Sequence, residues 1–112
     1  MNRDNEILLD LVRSARLILE FTKEMNLENF LEDVKTQSSV LYQIVILGEA
    51  VNRLSSEFSK KHPQIPIVAI RGMRNRVVHE YNEVDVEILW EVTQTNIPEL
   101  LDLVEPLVSP DI

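Results

Sequence analysis

The chain has no cysteine, only two glycines, few aromatic residues and fewer basic than acidic side chains. Each shortage excludes something. Without cysteine there are no disulfides and no thiolate metal sites, which fits a reducing compartment. With glycine scarce and strand-like alternation nearly absent, the expected fold class is all-α. No apolar run is long enough to span a bilayer, and Met1-Asn2-Arg3-Asp4 opens without a signal-peptide core. The expectation is therefore a cytoplasmic protein with no membrane association. No glycine-rich phosphate loop is present, and no His/Asp/Glu cluster has metal-ligand spacing, so neither metal nor cofactor is expected. A formal net charge of −8 argues against broad, charge-driven nucleic-acid binding.

What is present is helical scaffold. At 112 residues, with 45% apolar residues spread along its length, the chain is expected to form a single domain, 1–112, around one modest core. Neither an internal repeat nor a linker divides it. The first helix is predicted from about Asp4, as N-cap, to Lys23, with Ile7, Leu8, Leu11, Ala15, Ile18 and Leu19 forming one buried stripe. Asn26 is predicted to cap a short helix through Phe30 and Leu31. A second long helix is predicted from about Thr36 to Lys60. Its apolar band (Val40, Leu41, Ile44, Val45, Leu47, Ala50, Val51, Leu54, Phe58) is wider than one packing partner requires, so a second partner is expected, such as another subunit. The segment from Lys60 to Pro66 reads as a loop that includes His62. A third helix then starts near Pro66 or Ile67 and ends between Val78 and Tyr81. Asp85 is predicted to cap a fourth helix bearing Leu89 and Trp90, the latter a packing anchor. Pro98 is expected to kink or split that helix, with Asn96 capping the final segment.

The third helix carries the one concentrated chemical feature, Arg71-Gly72-Met73-Arg74-Asn75-Arg76-Val77-Val78-His79-Glu80-Tyr81. Three of the eleven basic residues lie here within six positions, followed by one of only two histidines. A small basic spot on an acidic body suits local phosphate contact better than long-range capture. Chemistry at a phosphate needs a group to take a proton, a cation for the phosphate oxygens and a group to return a proton. Histidine titrates in the right range, and arginine holds two phosphate oxygens at once. A single His79 cannot be base and acid in the same step, whereas two copies across a dimer axis can. Helical rotation puts Arg74 and His79 ~140° apart. Either the helix distorts before His79, or Arg74 reaches around, or a partner chain completes the site. Asn75 and Arg76 lie beside His79, placed to orient it or to bind phosphate, and Gly72 on that face leaves room for another helix or for RNA. Glu49, on the second long helix, reads equally as a surface acid or as a contact of the arginine cluster. On residue types alone, arginines and a histidine at a helix C-terminus also fit a solvated end complementing the helix dipole.

Read as Arg74-x4-His79-x-Tyr81, the stretch resembles the active-site motif of the HEPN superfamily, in particular the HepT-like ribonuclease toxins. The resemblance extends through Asn29-Phe30-Leu31-Glu32-Asp33, Ile46-Leu47-Gly48-Glu49-Ala50, His62-Pro63-Gln64-Ile65-Pro66 and Val84-Asp85-Val86, then Trp90 and Pro98. It departs at Ile67, where many relatives carry tryptophan, a matter of packing. The resemblance implies a HEPN-type four- to five-helix bundle, a homodimer whose two motifs face each other, and metal-independent endoribonuclease activity. It also implies a cognate MntA-like nucleotidyltransferase antitoxin that attaches adenylate to the motif tyrosine. Carried over, Arg74 and His79 are catalytic and Tyr81 is the adenylylation site; Arg71, Asn75 and Arg76 are expected, from their place beside these residues, to bind substrate. Two rival readings are a non-catalytic helical subunit serving a nucleotidyltransferase and a plain dimerisation bundle.

Overall fold

The computed structural model describes residues 2–110, and all regular structure among them is helical. The order is α1 (Asn2–Phe21), α2 (Leu27–Leu31), α3 (Val34–Asn52), α4 (Ser56–Lys61), α5 (Ile67–His79), α6 (Val86–Glu91) and α7 (Ile97–Val104). A bundle of α1, α3 and the C-terminal helix encloses the core. The predicted α1 stripe is buried: Ile7, Leu8, Leu11, Ala15 and Ile18 meet Val40, Ile44, Leu47 and Val51 of α3 and Leu100, Leu101 and Val104 of α7. Phe30 of α2 is fully buried, its ring 5.2 Å from that of Trp90, which is the anchoring role expected of the tryptophan.

Helix ends follow local polar chemistry. Asn26 and Asn29 cap α2 reciprocally, each side-chain oxygen accepting from the other's backbone N–H. Asp85 caps α6 as predicted, accepting from the amides of Glu87 and Ile88. Asp33 caps α3 by accepting from the Thr36 amide and hydroxyl. Those Thr36 hydrogen bonds favour the ionised form and hold the Asp33 carboxyl below its ordinary value.

Four expectations need correction. Asp4 does not cap α1, which already begins at Asn2. Its carboxylate instead accepts from the Ser55 amide and hydroxyl, at 2.9 and 2.7 Å. Burial opposes the charge on Asp4, but the Ser55 hydrogen bonds and nearby Arg3 outweigh it and lower its pKa. The long second helix is two helices, broken at Arg53–Ser55. Ser55 starts α4 by accepting from the Phe58 amide, so Lys60 and Lys61 are helical rather than loop. The wide apolar band of α3 finds both its partners within the chain, α1 on one side and α5 on the other, so it is no longer an argument for a second subunit. Finally, the division expected at Pro98 is present, since α6 and α7 are separate α-helical segments, but Asn96 does not cap the second of them. A π-helical turn, Val92–Asn96, joins α6 to α7, with the Ile97 N–H reaching back to the Val92 carbonyl. Loosening the ladder just ahead of Pro98 accommodates its missing N–H, and Asn96 makes no capping bond.

Candidate active site

The arginine stretch occupies α5, a regular α-helix from Ile67 to His79. Its rotation sorts the residues as the sequence requires. Val77 is buried, while Ile70, Met73 and Arg74 are half-buried on the inner side. Gly72, Asn75, Arg76 and His79 are exposed on the outer side. The helix closes at Glu80, whose N–H donates to the Arg76 carbonyl at 2.8 Å. A short 3-10 turn, Tyr81–Glu83, follows and leaves Tyr81 69% exposed.

Arg74 is the best-held member of the group. Its stem crosses α3 at Gly48: a Cβ on Gly48 would stand 2.2 Å from the Arg74 Cβ and 2.4 Å from its Cγ. Only glycine lets the two helices approach there. The guanidinium then turns onto the next residue of α3, with Nε and Nη2 donating to Glu49 Oε2 at 3.0 and 2.5 Å. Nη1 donates to Asn75 Oδ1 at 3.0 Å. Of the two readings open for Glu49, the contact with the arginine cluster is the one the structure contains. Asn75 is engaged with Arg74 rather than with His79. Arg71 donates to Asn52 Oδ1 at 2.5 Å, and Arg76 lies 3.9 Å from Glu80, both at the surface.

His79 stands apart from this network. It is exposed, and its side chain makes no hydrogen bond or ion pair with any other described residue. Because α5 runs undistorted through His79, a break in the helix does not bring the two motif residues together. Arg74 does not reach around either, being turned toward α3. The chain thus presents a clamped arginine on one flank of α5 and an open histidine on another. Among the described residues, no group of three His, Asp or Glu side chains could hold a metal ion, and no helix is long and apolar enough to cross a membrane.

Sequence reasoning gave no separate role to Gly48 or Asn52, the two α3 residues on which Arg74 and Arg71 rest. For Gly48 a signal existed: it is one of two glycines in the chain and sits in mid-helix, where alanine would be favoured by roughly 1 kcal/mol. For Asn52 none did, since its role depends on how α3 and α5 cross.

Comparison with known proteins bears on the chain as a whole. The family model described as "Ribonuclease HepT-like" matches residues 11–107. A protein named probable ribonuclease HepT, from Thermococcus cleftensis, is 38% identical over 102 residues, 91% of this chain and 93% of that protein. Proteins described as candidate RNases from Methanocaldococcus jannaschii and Caldanaerobacter subterraneus subsp. tengcongensis are 31% and 32% identical. The alignments cover 91% and 90% of this chain, and 84% and 90% of those proteins. No solved structure matches. With nearly all of the helical core inside the matched region, and relatives aligned over most of their own length, the chain belongs to the ribonuclease HepT-like family.

Proposed function

We propose that this HepT-like ribonuclease is a metal-independent endoribonuclease toxin that acts as a homodimer in the cytoplasm. The observation that carries the reading is the pairing of a fixed guanidinium with a free imidazole on one helix. Arg74 supplies the permanent charge for the phosphate and His79 the titratable group for proton transfer. Their placement on different flanks of a straight helix favours a site shared between two copies. There, one His79 takes the proton of the 2′-hydroxyl and the other protonates the leaving oxygen. The exposed outer face of α5, where nothing lies within 4 Å of a Cβ on Gly72, leaves space for a second copy or for RNA. Arg71 and Arg76, also at the surface, extend the positive charge along the bound strand.

Control of such an enzyme falls naturally on Tyr81. Its exposed ring stands two residues past His79, within reach of an MntA-like nucleotidyltransferase antitoxin. An adenylate on its hydroxyl brings a phosphate to the arginines that would otherwise hold RNA, blocking the site by charge and bulk.

Cleavage assays in EDTA test the catalytic part. His79→Ala and Arg74→Ala should each lower the rate by ~10²–10⁴-fold, and the products of wild-type cleavage should end in a cyclic phosphate. Activity that EDTA abolishes and magnesium restores would refute the metal-free route. Intact mass spectrometry after incubation with the partner, ATP and magnesium tests the regulatory part: wild type should gain adenylate and Tyr81→Phe should not, while still cleaving RNA.

A further inference from the structure

The contact between Glu49 and Arg74 adds little to the stability of the fold. The Glu49 side chain is 52% exposed and that of Arg74 24%, and ion pairs open to water contribute weakly. Its interest lies in what it leaves over. An arginine carries five N–H donors. Three are engaged here: Nε and one on Nη2 with Glu49, and one on Nη1 with Asn75. One N–H remains on each terminal nitrogen, available to the oxygens of a phosphate. The stem has no freedom to swing, because it lies against the Gly48 backbone, where even a methyl group would collide with its Cβ and Cγ. Stem and side edge are held, and with them the plane in which the remaining donors lie.

We infer that Glu49 is a positioning residue for RNA cleavage: it grips the side edge of Arg74 so that the two remaining terminal N–H groups meet the scissile phosphate in one orientation. The inference rests on the ribonuclease reading above. Glu49 transfers no proton, and its charge is a mild hindrance to the phosphate that Arg74 awaits. The benefit is orientation and the cost is affinity, which separates this role from a purely structural one. Removing the charge while keeping the shape should slow turnover without weakening RNA binding.

The test is steady-state cleavage of a short single-stranded RNA by wild type, Glu49→Gln, Arg74→Lys and the double variant. Glu49→Gln should lower kcat by ~10–10²-fold, since misorientation of a charged group by about an ångström has that effect. KM should stay the same or fall, and Tm should move by less than about 4 °C. In the Arg74→Lys background, where there is no planar side edge to grip, Glu49→Gln should cause little further loss. Equal losses in both backgrounds, or a raised KM with kcat unchanged, would overturn the inference. Where Glu49→Gln does not fold, Glu49→Asp decides: the positioning role requires a kcat below wild type with Tm retained, and an unchanged kcat refutes it. Wild type that cleaves no RNA would sink the ribonuclease reading and the positioning role with it. Wild type that cleaves, beside an equally fast Glu49→Gln, would remove the positioning role alone.

Discussion

The bundle of α1, α3 and α7 and the helix α5 are held in different ways. In the bundle, apolar residues interlock on all sides, and long-range polar ties reinforce them. Asp4 binds Ser55, and Asn5 accepts from the Ser109 amide at 2.7 Å. Helix α5 is attached chiefly to α3. Val77 is its only buried residue, and its N-terminus has no side-chain cap. Two clefts, of about 190 and 170 Å³, lie along its flank towards α6 and α7, both bordered by Ala69 and Met73. The contrast shows a division of labour. Burial is concentrated in the bundle, and the helix bearing the motif leans chiefly on α3, the same helix that holds its arginine.

The largest effect should come from opening the core that the bundle encloses. Phe30→Ala removes a fully buried ring and its contact with Trp90, and should cost about 3–5 kcal/mol in urea unfolding while leaving cleavage per folded molecule unchanged. The two glycines sharpen the comparison at the boundary. Gly48→Ala forces α3 and α5 apart at Arg74 and should cost about 1–3 kcal/mol, with cleavage lost more than tenfold. Gly72→Ala meets open space on the outer face and should stabilise the monomer by about 0.5–1 kcal/mol. The same pair of urea titrations checks both signs; destabilisation by Gly72→Ala of a chain shown to be monomeric would contradict the open face. The smallest effect concerns Asp33. Its carboxyl titrates lower in the folded state than its ordinary value of 3.8, so the stability it contributes is complete above that value and is lost as pH falls below it. The Tm advantage of wild type over Asp33→Ala should therefore be full at neutral pH and shrink in melts taken below about pH 3.8.

Legibility in the sequence followed the range of the interactions. The helical class, the α1 stripe, the caps at Asn26 and Asp85 and the limits of α5 depend on neighbours a few residues away, and all were readable. Asp4 was misleading because its carboxylate answers to a serine 51 residues further on. The break after Asn52 was hidden by apolar continuity through Leu54 and Phe58, although Ser55, three residues before Phe58, carried a capping signal. The breadth of the α3 band was visible, but not that α5 rather than another chain fills it. At the site, the motif fixed which residues to examine and the helical angle showed that Arg74 and His79 diverge. Only the crossing of α3 over α5 revealed that Gly48 and Glu49 hold the arginine.

The π turn has a consequence for chain length. An α-helix closes its hydrogen bond over four residues and the Val92–Ile97 bond spans five, so the segment from α6 to α7 holds one residue more than a plain helix of the same rise. That surplus sets the downstream side chains back by roughly 100°. It thereby brings Ile97, Leu100, Leu101 and Val104 onto the same core as Leu89 and Val92. A single-residue deletion within 92–96 can be absorbed by reverting to α-helical turns with the core register kept. The same deletion in the middle of α1 or α3 would rotate half of a buried stripe into water.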